Sequence, residues 1–277
     1  MNEKCAIVIM SCDAYHDLWN DFFDLKEKYW RDCPYKTYLV SNNMPANREG
    51  VTTILCGDEL NWTGRLIKCL NAIDEDRVIL MLEDYYISSH VDNVLVDYAL
   101  ETMNQSKAVY YKLETRGTIF DTNYDGVEYL KKITPNIRYG VSLITSIWDK
   151  RFLLEVIGDE DYPAWEFELR RNREDDFVKK TDKLLLCDTR NILNITHMVQ
   201  RGQYLRSSLR KLEQQGDTIV PSSRGKVGIL FEFYTNAVCM LKRNDLIRQC
   251  VLKFVHVFGF KSISEKYSDE IKKGVYK

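Results

Sequence analysis

The run Val78-Ile79-Leu80-Met81-Leu82 ends on Glu83-Asp84 and continues into Tyr85-Tyr86. An unbroken apolar run of this length has the character of a buried strand. Such a strand ends on two carboxylates when they face a cleft at its carboxyl end, where open α/β sheets bind ligands. Two hard oxygen ligands in that place suit Mg²⁺ or Mn²⁺ bridging a diphosphate. The competing reading, in which the acids only begin a turn, fits the isolated pair equally well.

Four further groups carry chemistry. Ser11-Cys12-Asp13-Ala14-Tyr15 follows the first apolar run, where Asp13 and Tyr15 can meet a base or a ribose; Asp13 or Asp17 can instead cap the next helix. Asn61-Trp62-Thr63-Gly64-Arg65-Leu66 opens a helical pattern. Arg65 near a helix N-terminus suits a phosphate oxygen, since unpaired N–H groups and a guanidinium converge there; a solvated surface arginine is the alternative. Trp148 and the segment Trp165-Glu166-Phe167-Glu168 place carboxylates beside aromatic rings. A Glu in a partly apolar pocket has a raised pKa and can take a proton from a sugar hydroxyl, whereas the plain reading makes the rings core anchors and the acids a solvated face. His197 ends an apolar stretch and is followed by Arg201-Gly202: a metal ligand, a phosphate-holding cation and a close backbone approach, or a structural histidine. No GxGxxG and no GxxxxGK[ST] occurs, so neither a dinucleotide fingerprint nor a P-loop is supported.

These groups need a frame. Residues 5–11, 35–41, 51–56, 78–81 and 108–113 read as strands, and 18–29, 62–73 and 91–104 as helices. Their alternation predicts an α/β fold with a mostly parallel central sheet and helices on both faces. Residues 114–139 read as a long irregular binding loop or lid. Residues 148–157 and 164–180 read as helical, and 184–195 as containing a late strand. From about residue 225 long helical segments with interspersed basic residues replace the strands. The expected division is an α/β domain over 1–224 and a helical extension over 225–277.

The 277 residues carry a net charge of −2. From Val199 onward 15 Lys/Arg stand against 7 Asp/Glu, so that segment carries +8 and the residues before it −10. An acidic body with a basic tail suits a tail that meets an anionic surface, and no nucleic-acid partner is expected. The 17 tyrosines and 5 tryptophans suit a sugar cleft as well as a core. The eight cysteines show no CxxC spacing, no leader precedes the first strand and no run is long enough to span a bilayer. A reducing, cytoplasmic setting with free thiols is therefore expected.

The ordered series Ser11–Tyr15, residues 62–73, Leu82-Glu83-Asp84-Tyr85-Tyr86, Ser142 with Ile147-Trp148-Asp149-Lys150-Arg151-Phe152-Leu153, Pro163-Ala164-Trp165-Glu166-Phe167-Glu168, and His197 with Arg201-Gly202 resembles a bacterial GT-A type glycosyltransferase of capsule and lipopolysaccharide O-antigen synthesis. The resemblance covers about residues 5 to 205. It implies a GT-A-like fold and transfer of a sugar from a nucleotide-diphosphate donor, a UDP-sugar first, to a hydroxyl of a glycan or lipid-linked glycan acceptor. The family's Asp-x-Asp triplet reads Leu82-Glu83-Asp84 here, which leaves Asp84 as the leading metal ligand with Glu83 second. His197 matches the late histidine of the metal shell. Ser11, Asp13, Tyr15, Trp62, Arg65, Glu83 and Arg201 are the implied donor contacts, and Trp148, Trp165 and Glu166 the acceptor contacts. Glu168 is the implied base of an inverting reaction. The basic C-terminal helices would rest on the anionic inner face of the membrane, beside a lipid-linked acceptor. A sugar nucleotidyltransferase shares the paired acids but would show a Gly-rich, basic first loop, which Ser11–Tyr15 lacks. A non-catalytic carbohydrate- or partner-binding module, or a degenerate homologue in which Leu82 marks lost metal binding, is the third class.

Overall fold

The computed structural model describes residues 4–115, 120, 122–134, 137, 140–171, 173, 176–219, 221–222 and 224–232. Two compact units divide the chain, residues 1–226 and 227–277. The basic helical extension expected beyond residue 225 lies almost wholly outside the described residues.

Four strands build the first half: β1 (Cys5–Met10), β2 (Lys36–Ser41), β3 (Val51–Leu55) and β4 (Arg77–Leu82). They pair in parallel in the order β3-β2-β1-β4. Helix α1 (Trp19–Tyr29) connects the first two, after a 3-10 turn over Asp13–Leu18, and α2 (Trp62–Ala72) precedes the fourth. Alternate residues of one strand serve opposite faces. Ile7 and Ile9 join the core beneath α1, while Val8 and Met10 join the core beneath α2. All four are fully buried, which is why these strands are apolar without alternation.

The chain continues through β5 (Tyr85–Ile87), α3 (Asn93–Ser106), β6 (Tyr110–Lys112), β7 (Asn123–Tyr124), β8 (Val127–Lys132) and β9 (Ser146–Asp149). It then forms α4 (Lys150–Ile157), α5 (Ala164–Arg170), α6 (Phe177–Lys180), β10 (Leu185–Asp188), β11 (Ile195–His197), β12 (Val199–Gln200), β13 (Gln203–Tyr204) and α7 (Arg206–Gln214). Among the described residues the main sheet has nine strands in the order β3-β2-β1-β4-β9-β6-β10-β8-β7. β9 runs antiparallel between β4 and β6, which restores β6 and β10 to the direction of β1 and β4. The fold class is α/β with helices on both faces of a mixed sheet.

Three expectations are corrected. Residues 148–149, read as the start of a helix, belong to a central antiparallel strand over Ser146–Asp149; the helix begins at Lys150, where the Asp149 carboxylate accepts the Phe152 N–H at 2.9 Å. The segment 114–139, read as an irregular loop, contains the β7–β8 hairpin, whose turn residues Asp125 and Gly126 have φ of 52° and 72°. That pair of positive values belongs to the tight two-residue hairpin turn that Asp-Gly favours. The single helix over 164–180 is two short ones, α5 and α6.

Among the described residues no helix is long and apolar enough to cross a membrane. Cys5, Cys12, Cys33, Cys56, Cys69 and Cys187 are free thiols. Burial pushes the Cys5, Cys69 and Cys187 thiols up to about 12, so they behave as small apolar core residues.

Candidate active site

The carboxyl ends of the parallel strands lie in one row. Met10 is in register with Val40 of β2 and with Leu82 of β4. The residues that follow, Ser11-Cys12-Asp13, Asn42-Asn43 and Glu83-Asp84, therefore emerge along one edge of the sheet. β9 is antiparallel, so its beginning lies at that same edge: Ser146 is in register with Leu80 and with Lys112. The preceding loop 141–145 joins the row there.

Glu83 is 8% exposed. Burial raises its pKa well above the ordinary carboxylate value and the Asp84 charge adds to this, while the Arg65 and Arg224 charges oppose it. Asp84 faces a histidine supplied from far along the chain. β11 pairs antiparallel with β5, setting His197 opposite Tyr85, and the two rings stack at 4.7 Å. His197 Nε2 lies 3.2 Å from Asp84 Oδ2. The Met198 N–H donates to the Asp84 carbonyl at 2.7 Å, fixing the backbone on both sides of the contact. Asp84 Oδ1 is buried and has no hydrogen-bond partner. An unsatisfied buried carboxylate oxygen is costly unless something fills the place it faces.

Tyr15 belongs to the same cluster. Burial raises its pKa, and the charges of Glu83 and Asp84 raise it further. Cys12 responds likewise to burial and then to Glu83. The structure brings Asp84 and His197 into contact next to Glu83, with Tyr15 on the turn that follows β1 at the same edge.

Other expected donor contacts form the frame behind the cleft. Ser11 Oγ accepts from Trp19 Nε1 at 2.7 Å, and the Ser11 carbonyl accepts from Arg65 Nη1 at 2.6 Å. The Asp13 carboxylate accepts the backbone N–H groups of Asn42, Asn43 and Met44 at 3.0–3.2 Å, so it holds the loop after β2. Arg65 is 8% exposed and also donates to Asn42 Oδ1 at 3.2 Å. The phosphate site expected at the start of α2 is occupied by the chain's own carboxylate. Asp161 accepts the Asn61 N–H at 2.8 Å and the Gly64 N–H at 2.9 Å, consuming the N–H groups an anion would use. A Cβ at Gly64 would lie 2.8 Å from Asp161 Oδ1, so a larger residue would push the carboxylate from this place. Trp62 is buried against Phe167, ring centres 5.8 Å apart. Arg201 sits at the tip of the β12–β13 hairpin, where Arg201 and Gly202 have φ of 52° and 73°, and its side chain is exposed.

Of the expected acceptor contacts, Trp148 is fully buried among Tyr110, Phe152 and Phe167. A ring with no exposed surface cannot touch an acceptor, so Trp148 is a core anchor. Trp165 and Glu166 lie on α5 and are half-buried; the Glu166 carboxylate accepts from Arg170 Nε at 3.0 Å. Glu168, on the same helix, turns to the cleft-edge loop and accepts the Leu143 N–H at 2.7 Å. Burial raises the Glu168 pKa, and the Leu143 hydrogen bond and the Lys112 and Arg171 charges only partly offset it. A carboxylate of this kind is a candidate proton acceptor.

Sequence reasoning did not single out Lys112, Arg224 or Asp161. Lys112 is fully buried at the end of β6; a charged residue closing the apolar run Ala108–Tyr111 is the same signal that Glu83-Asp84 gave. Among the described residues no group of three His, Cys, Asp or Glu side chains gathers to hold a metal. Asp84 Oδ1, buried without a hydrogen-bond partner, is a carboxylate oxygen that a cation could satisfy, with His197 beside it.

No family model and no curated protein matches the chain. Among solved structures, S. aureus TarS 1–349 aligns with a TM-score of 0.44 at 9% identity, over 67% of this chain and 60% of that one. S. aureus TarS aligns at 0.40 and 13%, over 67% and 36%. The bifunctional IspDF from Campylobacter jejuni aligns at 0.34 and 17%, over 57% and 44%. The chain spans at most 60% of the length of these structures.

Proposed function

We propose that the chain is a glycosyltransferase that moves a sugar from a nucleotide-diphosphate donor, a UDP-sugar, to a hydroxyl of a glycan or lipid-linked glycan in bacterial surface polysaccharide synthesis. The observation that carries this reading is the meeting of Asp84 and His197 at 3.2 Å, with Asp84 Oδ1 buried and unsatisfied, at the carboxyl edge of a parallel sheet. That edge is where nucleotide ligands enter such folds.

Asp84 and His197 would hold a divalent ion, which supplies charge neutralisation for a departing diphosphate. Glu83, buried beside them, is the second acid of the pair at the back of the cleft. Tyr15 forms the cleft wall next to both acids. Ser11, Asp13, Arg65 and Asp161 keep that wall in place through the contacts given above. Glu168, held by the Leu143 N–H, is the base that takes the acceptor hydroxyl proton in an inverting transfer. Trp165 and Glu166 share its helix and border the acceptor. The basic C-terminal segment draws the enzyme to an anionic membrane surface.

A thermal-shift panel of UDP-, GDP-, CMP- and dTDP-sugars, each with Mn²⁺ and with EDTA, tests the reading. Stabilisation by the UDP family that disappears in EDTA is expected. A shift that survives EDTA removes the metal from the site, and no shift with any donor removes the transferase.

A further inference from the structure

The chain returns to the cleft after α7. The Tyr204 N–H donates to the Gly225 carbonyl at 3.0 Å, and Lys226 bridges in parallel to Tyr204. This tether sets Arg224 over the 3-10 turn that follows β1. Arg224 Nε donates to Asp17 Oδ2 at 2.7 Å, and Nη2 donates to Asp17 Oδ1 at 2.6 Å and to the Ala14 carbonyl. The Ser222 hydroxyl donates to the same Asp17 carboxylate. The guanidinium carbon stands 4.2 Å from the centre of the Tyr15 ring.

The arrangement is a clamp. A two-pronged Arg–carboxylate pair fixes both the position and the plane of the guanidinium, and the Arg224 side chain is only 12% exposed. One face of the Tyr15 ring is therefore covered by a cation that cannot slide. The ring, on the turn that leaves the carboxyl end of β1 at the edge where Glu83 and Asp84 emerge, is held rather than free to rotate. Three of the Arg224 hydrogen bonds are already made within the chain, so a direct contact to a ligand would require breaking a largely buried pair. Arg224 is built to hold Tyr15, not to reach past it.

We propose that Arg224 is a positioning residue of the donor cleft, acting through Asp17 and the Tyr15 ring to keep the nucleotide-facing wall in its binding orientation. This rests on the reading of the cleft as a nucleotide-sugar site, and it adds a requirement to that reading: Ser222 and Arg224 belong to the donor site although they lie after α7.

The test is calorimetric titration of the full chain with UDP, together with donor KM and kcat, for the wild type, Arg224→Ala, Arg224→Lys, Tyr15→Ala and the Tyr15→Ala/Arg224→Ala pair. Arg224→Ala is expected to raise UDP Kd and donor KM about tenfold, the scale of one cation–π contact, with kcat little changed. Arg224→Lys keeps the charge but not the fork and recovers part of the loss. In the Tyr15→Ala background, removing Arg224 should change donor KM no further, because the two act as one unit. Should Arg224→Ala fail to fold, Asp17→Asn loosens the same clamp and should raise donor KM in the same direction. An unchanged KM with a lowered melting temperature would make Arg224 merely structural and overturn the proposal. Additive effects with Tyr15→Ala would mean direct donor contact and overturn it as well. A wild type that binds neither UDP nor any nucleotide sugar overturns the reading of the cleft itself, and is told apart because the wild-type arm alone fails.

Discussion

His197 Nε2 meets Asp84 Oδ2 at 3.2 Å across 113 residues of sequence. Two antiparallel three-residue strands, β5 and β11, make that meeting, and His197 stacks face to face on the Tyr85 ring. The contact uses one oxygen of Asp84 and leaves the other buried and unsatisfied. A carboxylate so arranged has a coordination position to offer.

Asp84→Asn keeps the shape of the side chain but removes its charge. Transfer should fall by about 10²-fold or more, the scale of losing one electrostatic group at a developing charge, with an unchanged circular dichroism spectrum. His197→Ala should act in the same direction and lower the Mn²⁺ response. Full activity in Asp84→Asn would remove this residue from the site.

Glu168 gives a pH signature. Its carboxyl is pushed up by burial, so the acid limb of kcat/KM should lie above the ordinary carboxylate range, with activity lost as pH falls through the raised value. Glu168→Gln should cut the transfer rate by about 10²-fold or more and abolish that limb, while UDP binding persists. Stability runs the other way. Because the folded pKa exceeds the unfolded one, the protonated carboxyl stabilises the fold fully below the unfolded value, and this is lost as pH rises through the folded value. Melting curves of Glu168→Gln against pH should therefore decline less across that window; parallel curves would mean that Glu168 is not held in this environment.

The frame was legible where local pattern decides structure. Ala6–Met10 and Val78–Met81 are buried on both sides and apolar throughout, and the acids after Leu82 announce a cleft. The strand Ser146–Asp149 was not legible, because four residues leading into a strong helical pattern carry no signal of their own; its place between β4 and β6 is decided by two distant strands. The Asp125-Gly126 hairpin did carry its turn signal, but its flanking strands, two and six residues long, are mostly half-exposed and lack an apolar run. At the site, acids and histidine at strand ends were readable one by one. The occupation of the α2 N-terminus by Asp161, 97 residues beyond Gly64, was not. Nor was the return of Arg224 to Asp17, a contact over 207 residues. Both depend on tertiary closure, and the sequence near each partner is silent about it.

Arg171 and Asp176 form a pair at 2.6 Å with side chains 6% and 4% exposed. The Arg171 guanidinium lies 4.7 Å from the Phe167 ring centre, so the pair holds the end of the helix that carries Glu168. Burial lowers the Arg171 pKa, with Asp176 opposing. Asp176→Ala would strand that charge and remove the α6 cap to the Val178 N–H. A loss of about 3–5 kcal/mol is expected in denaturant unfolding. The double change Arg171→Met, Asp176→Leu should recover most of it, since an apolar pair of similar volume avoids the desolvation cost. A double variant as unstable as the single would show that the pair stabilises through more than charge compensation.

The basic segment from Val199 onward offers the last prediction. Its charge of +8 is set against −10 in the preceding residues, so attraction to an anionic bilayer should reside in the tail and be opposed by the body. Near such a surface each basic residue contributes about 1 kcal/mol, screened by salt within a Debye length of about 10 Å at 0.1 M. Deleting the residues after Asp245 removes Arg248, Lys253, Lys261, Lys266, Lys272, Lys273 and Lys277. Flotation with phosphatidylserine-containing vesicles should lose the truncated chain and retain the full one, and retention should fall as salt rises. UDP binding should be equal in both. Equal partitioning of the two chains would retire the membrane role and leave the acceptor to be delivered in solution.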